Sequence, residues 1–259
     1  MKNLQKLIKD LIKVLRTKDQ EDKDKHDLIT QENINLLKGK KPFLNDVTIR
    51  PNITAKKTSG VLEAHQNGFR FVSNKGEKID ITYKNIKHAL FQPCENELIV
   101  LIHYHLHNPI LVGKKKTNDV QFFREAGAQA DDLDMRRRGN DMEEYEIELK
   151  DRQNRDKINE EFRRFTQNVS EISKIDFDMP YKDLAFSGVP HKSLVTLLPN
   201  AYCLASIIEL PFFVITLDEV QLVHFERVQV NNIPNISSFL LKTLIWCMSL
   251  KIYLAKLTE

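Results

Sequence analysis

Three cysteines in 259 residues, at positions 94, 203 and 247, are too few and too scattered for a disulfide framework. They point to reduced thiols in an intracellular compartment, cytosol or nucleus. Eight glycines and nine prolines exclude a collagen-like or linker-dominated chain. The common motifs of catalysis are also missing: there is no G-x-x-x-x-G-K-[ST], G-x-S-x-G or G-x-G-x-x-G, and no C-x-x-C or H-E-x-x-H. The N-terminus, MKNLQKLIKDLIKVLRTKDQ, carries a lysine or arginine every few residues, so it has no continuous apolar stretch to serve as a secretory signal.

What is present is the composition of a globular protein, 29% charged and 41% hydrophobic, long enough for two ordinary domains or one large one. The net charge of +3 conceals an asymmetry. Residues 1–60 hold fourteen Lys and Arg against eight Asp and Glu, +6, which leaves −3 for the remainder. A basic front attracts nucleic acid or an anionic membrane, although a charge run is also the ordinary form of a solvated helix face.

Leu4, Leu7, Ile8, Leu11, Ile12 and Leu15 recur at helical spacing and lead into the charged DQEDKDKHD, so residues 1–44 read as a linker helix. From Val47 the period shortens to two. VLEAHQNGFRFVS places Asn67-Gly68 between two β-rich runs, the chemistry of a type I′ hairpin, and a further turn follows at Asn74 to Gly76. IDITY, HALFQ, ELIVLIHYHL, NPILVG and DVQFFRE continue the series, for about seven short strands. After the charged insert AGAQADDLDMRRRGND, a long helix begins near Asp141 with Ile158, Phe162, Phe165, Val169 and Ile172 on one stripe. Seven strands and one amphipathic helix describe a small barrel plugged at one end, the pleckstrin-homology-like architecture. ITYKNIKHALFQ at 81–92 aligns without a gap on ITLDEVQLVHFE at 215–226, an offset of 134 residues that indicates a second copy of the domain.

HYHLH at 103–107 tests the metal question. Leu98, Val100, Ile102, Tyr104 and Leu106 form the apolar face of a half-buried strand, which leaves His103, His105 and His107 on a solvated face. His103 and His107 are then about 13 Å apart, too far to share an ion bound at about 2 Å, so no metal site is assigned. His88, His191 and His224 lack an adjacent acid or nucleophile, which argues against an enzyme. No cofactor or small-molecule substrate is implied.

IRPN, GVLEAHQNGFRF, YKNIKHALFQPCENELIVLIHYHLHNPILVGKKKTNDVQFFREAG, LAFSGVPHKS and LPFFVITLDEVQLVHFERVQ resemble the middle domain of the large subunit of the FACT histone chaperone, from about Ile49 to Gln229. The resemblance implies a mostly β fold with α (α+β), built as tandem pleckstrin-homology-like barrels that each carry a capping helix. The first covers 45–174 and the second 175–259. It also implies a non-catalytic nuclear and chromosomal protein that binds core histones H3–H4 and contacts nucleosomal DNA indirectly. In the full-length family protein the smaller FACT subunit is a further partner. The alternative is a module for phosphoinositides or a membrane surface, through Lys56, Lys57 and Lys114 to Lys116.

The candidate histone or DNA contacts are Lys114, Lys115 and Lys116 at a hairpin tip and Arg136, Arg137 and Arg138 in the insert, all suited to phosphate or acidic patches. Glu143, Glu144, Glu146 and Glu148 are assigned instead to stabilising the start of the helix. After Gln229 the chain has four charged residues in thirty and departs from the family wording, so the second barrel is expected to be truncated there. Its apolar run is interrupted at Lys242 and leaves about thirteen residues, short of the roughly 20 of a spanning helix.

Overall fold

A computed structural model describes residues 32–126 and 141–220, apart from positions 38, 55, 96, 191 and 192, together with the isolated residue 12; over 141–147 it describes the backbone alone. Most of the linker helix, the insert with Arg136 to Arg138, and the segment after 220 therefore lie outside the described residues. The chain divides into two compact units between residues 177 and 178.

The first unit contains β1 (Phe43–Arg50), β2 (Ser59–Ala64), β3 (Gly68–Ser73), β4 (Lys78–Thr82), β5 (Ile86–Gln92), β6 (Ile99–Val112), β7 (Lys115–Glu125) and helix α1 (Asp141–Ser173). The sheet runs β4-β3-β2-β1-β7-β6-β5, with the two-residue strand β8 (Phe177–Asp178) at its far edge. It is a curled half-barrel, not the closed barrel expected from sequence, because β4 and β5 are not neighbours in that order. Val47 and Ile49, Phe69 and Phe71, Val100, Ile102 and Tyr104, and Val120 and Phe122 enter one core at alternate positions. Ile158, Phe162, Phe165 and Val169 of α1 close that core, each contributing about 1.5–3 kcal/mol on full burial. Ile172, expected on the same stripe, is exposed in the last turn of the helix.

Three local expectations change. NPILVG is not a separate strand: β6 runs for 14 residues through Pro109, which fits because the register slips between His105 and Ile110. The hairpin at Asn67-Gly68 forms, but its turn residues are Gln66 and Asn67, closed by His65 N–H donating to Gly68 O at 2.9 Å. Neither has a positive φ, so it is not type I′. Leu98 is 71% exposed, just ahead of β6.

The second unit is a four-stranded antiparallel meander of β9 (Phe186–Gly188), β10 (Val195–Pro199), β11 (Cys203–Ser206) and β12 (Phe213–Thr216). Leu197, Leu198, Leu204, Ala205 and Ile207 are buried in it. Its backbone repeats the first unit. Asn200 N–H donates to Cys203 O at 2.8 Å as His65 does to Gly68, and Thr216 pairs with Cys203 as Thr82 pairs with Gly68. Each strand then enters a 3-10 turn, Tyr83–Asn85 or Leu217–Glu219. The first N–H of that turn donates to the carbonyl of Asn67 or Tyr202, at 3.0 and 2.9 Å. The described residues are thus mostly β with one helix.

Candidate functional site

The basic tip is built by a two-residue connection, Gly113–Lys114, between paired Val112 and Lys115. Gly113 has φ 64°, and a Cβ there would lie 2.4 Å from Ile53 O, so glycine is needed both for the turn and for the approach of the β1–β2 loop. Lys114 and Lys115 are exposed and Lys116 is half-buried. Lys115 and Lys116 are successive residues of β7 and point to opposite faces, so the three lysines are a fan of charge and not one flat patch. Lys56 is exposed on the loop that packs on Gly113. Lys57 is engaged elsewhere, in an exposed ion pair with Glu125 at 2.6 Å. A cleft of about 370 Å³ between the start of β1 and α1 is lined by Phe43, Arg164 and Asn168 among others, and includes none of the tip lysines. The tip is an exposed, charged turn.

The sheet has a second buried layer, on the face away from α1. Leu90, Leu101 and Phe123 are buried there with the polar Gln92, His103 and Gln121. The solvated histidine face expected from alternation is therefore corrected. His103 is fully buried and His105 is 16% exposed, and both donate to Oδ1 of Asp119 on β7, at 3.2 and 2.7 Å. Burial would raise the Asp119 pKa, but the hydrogen bonds and charges of the two histidines outweigh it and hold the carboxyl below its ordinary range. Burial pushes the His103 pKa down, only partly opposed by Asp119. His88 stacks on His105 at 6.0 Å. Arg50 lies 3.9 Å over the Phe123 ring and donates to Gln121 Oε1 at 3.3 Å. Among the described residues no group of three or more ligating side chains fits a metal ion. No described helix is long and apolar enough to cross a membrane.

Sequence reasoning missed three asparagines that act as detached pieces of strand, each bonding both an N–H and a C=O. Asn85 takes the N–H of Asn108 at 2.8 Å and donates to its carbonyl at 2.9 Å, tying down the irregular part of β6. Asn159 of α1 does the same to Cys94 at 2.9 and 2.7 Å, which gives the QPCENE loop its purpose: it fastens the helix to the sheet. Asn67 accepts from Asn35 N–H at 2.7 Å and donates to Asn33 O at 2.9 Å, fastening residues 32–37 across the β2–β3 turn. No spacing rule marks such residues, since their partners are distant in sequence.

The family model for the FACT complex subunit SPT16 PH-like domain matches residues 42–169, and that for the histone chaperone Rttp106-like middle domain matches 187–244, past Gln229. FACT complex subunit spt-16 of Caenorhabditis elegans is 45% identical over 226 residues, which cover 86% of this chain and 22% of the relative. FACT complex subunit SPT16 of Dictyostelium discoideum is 47% identical over 229 residues, 86% of this chain and 21% of the relative. The solved "Structure of the Spt16D Pob3N heterodimer" aligns with TM-score 0.32 and 10% identity over 71% of this chain and 76% of its own, too slight a likeness to bear on the fold. The chain spans about a fifth of the length of these curated relatives.

Proposed function

Because the chain belongs to the family of the FACT complex subunit SPT16, a non-catalytic histone chaperone family, we propose that it is a binding module for core histones H3–H4 in nucleosome reorganisation during transcription and replication. The observation that carries this is the succession of two chaperone-family matches on a repeated backbone frame. We assign residues 45–174 and the chain from 175 onward to two pleckstrin-homology-like modules. The setting is nuclear chromatin. The smaller FACT subunit is a partner of the full-length protein, and nucleosomal DNA is met indirectly.

Shielding a histone requires a shaped, charged surface and no nucleophile. The fan of Lys114, Lys115 and Lys116 suits phosphate that a histone surface brings alongside, and Arg136 to Arg138 are proposed for the same duty. Lys114→Glu with Lys115→Glu should weaken DNA-containing histone complexes and lower the slope of log affinity against log salt by about one for each phosphate no longer neutralised. Binding to free H3–H4 should hold or improve. Histone binding no stronger than that of an unrelated acidic control, in the same pulldown, would sink the assignment.

The lipid reading has one observation in its favour, the packing of the Lys56 loop on the Gly113 tip, which brings two basic segments to one end of the sheet. It predicts that inositol-phosphate liposomes retain the wild type and release the double variant while histones are ignored.

A further inference from the structure

The cleft between the start of β1 and α1 lies outside the surfaces assigned above, and its construction specifies a ligand. Residues 41 to 45 line it one after another, together with Glu161, Arg164, Phe165 and Asn168 of the helix. A strand face presents every second residue, so five successive ones line a cleft only where the strand shows its edge. The pairing of β1 locates that edge. β2 pairs with Phe43 and Leu44, whereas β7 reaches only Thr48, Ile49 and Arg50. Between the two stretches the register shifts, around Asp46 with φ 51°, and such a bulge bends a strand and ends its pairing.

In a strand the N–H and C=O of one residue point to the same side, and those of the next to the other. Pro42 O accepts from Ala64 N–H at 2.9 Å on the β2 side, so Phe43 directs both its groups to the opposite side. Asn45 does the same, and its carbonyl takes an N–H of the Arg124 guanidinium, whose other nitrogen donates to Glu161 Oε2 at 2.8 Å. That bridge closes one end of the cleft. Phe43 N–H, Phe43 O and Asn45 N–H remain on an edge that no described strand covers. From Lys41 to Asn45 the edge is about 13 Å long, room for four residues of extended chain.

The side chains choose among extended chains. Leu44 and Phe165 are buried, which makes the floor apolar. Lys41 is paired with Glu63 at 2.5 Å and Glu161 with Arg124, which leaves Arg164 as the cation of the cleft without a carboxylate partner among the described residues. Asn168, one turn further along α1, is exposed as Arg164 is. Nucleic acid offers Arg164 a phosphate but has no alternating donors and acceptors for a strand edge, so the combination favours a peptide that carries a carboxylate.

We propose that the cleft docks an extended acidic segment of a partner protein, which adds to the edge of β1 at Phe43 and Asn45 as a short strand and places a carboxylate on Arg164. The ligand is opposite in charge to a histone surface, so this is a second binding function, and its failure leaves the histone reading untouched.

The test uses the full chain and two labelled peptides, GTVEVEVTG and its lysine counterpart GTVKVKVTG. The glutamate peptide should bind about three- to tenfold more tightly, the range expected of one exposed charge pair turned from repulsion to attraction. Against Arg164→Glu the order should reverse, and against Arg164→Gln the two should bind alike. N-methylation along the glutamate peptide removes the donors a ladder needs and should abolish binding, and the unmodified peptide should slow amide exchange at Phe43 and Asn45. Equal affinity of the two peptides for the wild type, the same order on all three proteins, undiminished binding of the methylated peptide, or displacement by a single-stranded oligonucleotide would each overturn the proposal. So would binding seen only after Asp131→Asn, Asp132→Asn and Asp134→Asn together, which would give the cleft to the chain's own insert.

Discussion

The hairpin of β2 and β3 and that of β10 and β11 close with the same pair of backbone hydrogen bonds, yet the first turn is clamped to residues 32–37 through Asn67 while the second presents Tyr202, 63% exposed, at the equivalent place. A backbone frame is kept by bonds that any residue except proline can make. What the frame holds is chosen by a few side chains. Asn67, His65 and Lys84 hold residues 32–37, while Tyr202, Asn200 and Asp218 in the same places are an exposed ring, a buried amide that donates to Leu198 O, and an exposed carboxylate. Repetition of a backbone frame therefore does not imply repetition of the contacts it makes.

The largest expected effect tests whether the first unit depends on its helix. Phe162→Ala removes a fully buried ring from the point where α1 meets the sheet, and should cost about 3–5 kcal/mol in urea unfolding of that unit. Proteolysis fragments of the second unit should be unchanged. Next, Asn67→Ala removes both clamps on 32–37 and should cost about 1–2 kcal/mol, with faster hydrogen exchange at Asn35 and Leu37. Tyr202→Ala, the equivalent change, should stay within about 0.5 kcal/mol because the side chain is exposed. Equal losses from the two variants would show that the turns are dressed alike after all.

A smaller effect has the opposite sign. The hydroxyl of Tyr104 is buried among phenylalanines with no hydrogen-bond partner among the described residues, and burial raises its pKa well above the ordinary value. Tyr104→Phe should therefore stabilise by about 1 kcal/mol, read as a higher urea midpoint at unchanged slope.

The most graded difference between the units is in acid. Burial holds His103 below its ordinary pKa of 6.5, so the unfolded chain binds the extra proton first and stability present at neutral pH declines as pH falls through 6.5. Asp119 stays ionised in this range. Amides of β6 should lose protection between neutral pH and about pH 5.5 after correction for intrinsic exchange, and His103→Gln should flatten the loss. Amides of β11, a strand that carries no histidine, are the internal reference for that loss.

Much of the fold was legible because its signals are local. Alternation located the core residues of β6, a 3.6-residue stripe located the inner face of α1, and the match of 81–92 with 215–226 located two copies of a strand followed by a 3-10 turn. The division of ELIVLIHYHL from NPILVG and the Asn67-Gly68 pair misled for the same reason. Local rules score residues by habit, whereas a register slip and a four-residue closure decided what these positions do.

The sequence by itself determined which residues alternate, where the helix begins and which stretches repeat, since strand and helix periods are properties of the chain alone. Only the tertiary structure decided that His103 is buried while Leu98 is exposed, because a strand's second face is wet or dry according to what its neighbours contribute to it. Leu90 and Phe123, brought alongside by pairing with His103 and its neighbours, are buried on that same face. Tertiary structure likewise decided that Asp119 takes both histidines. A charge's partner is set by distance in space, and chain separation does not report it.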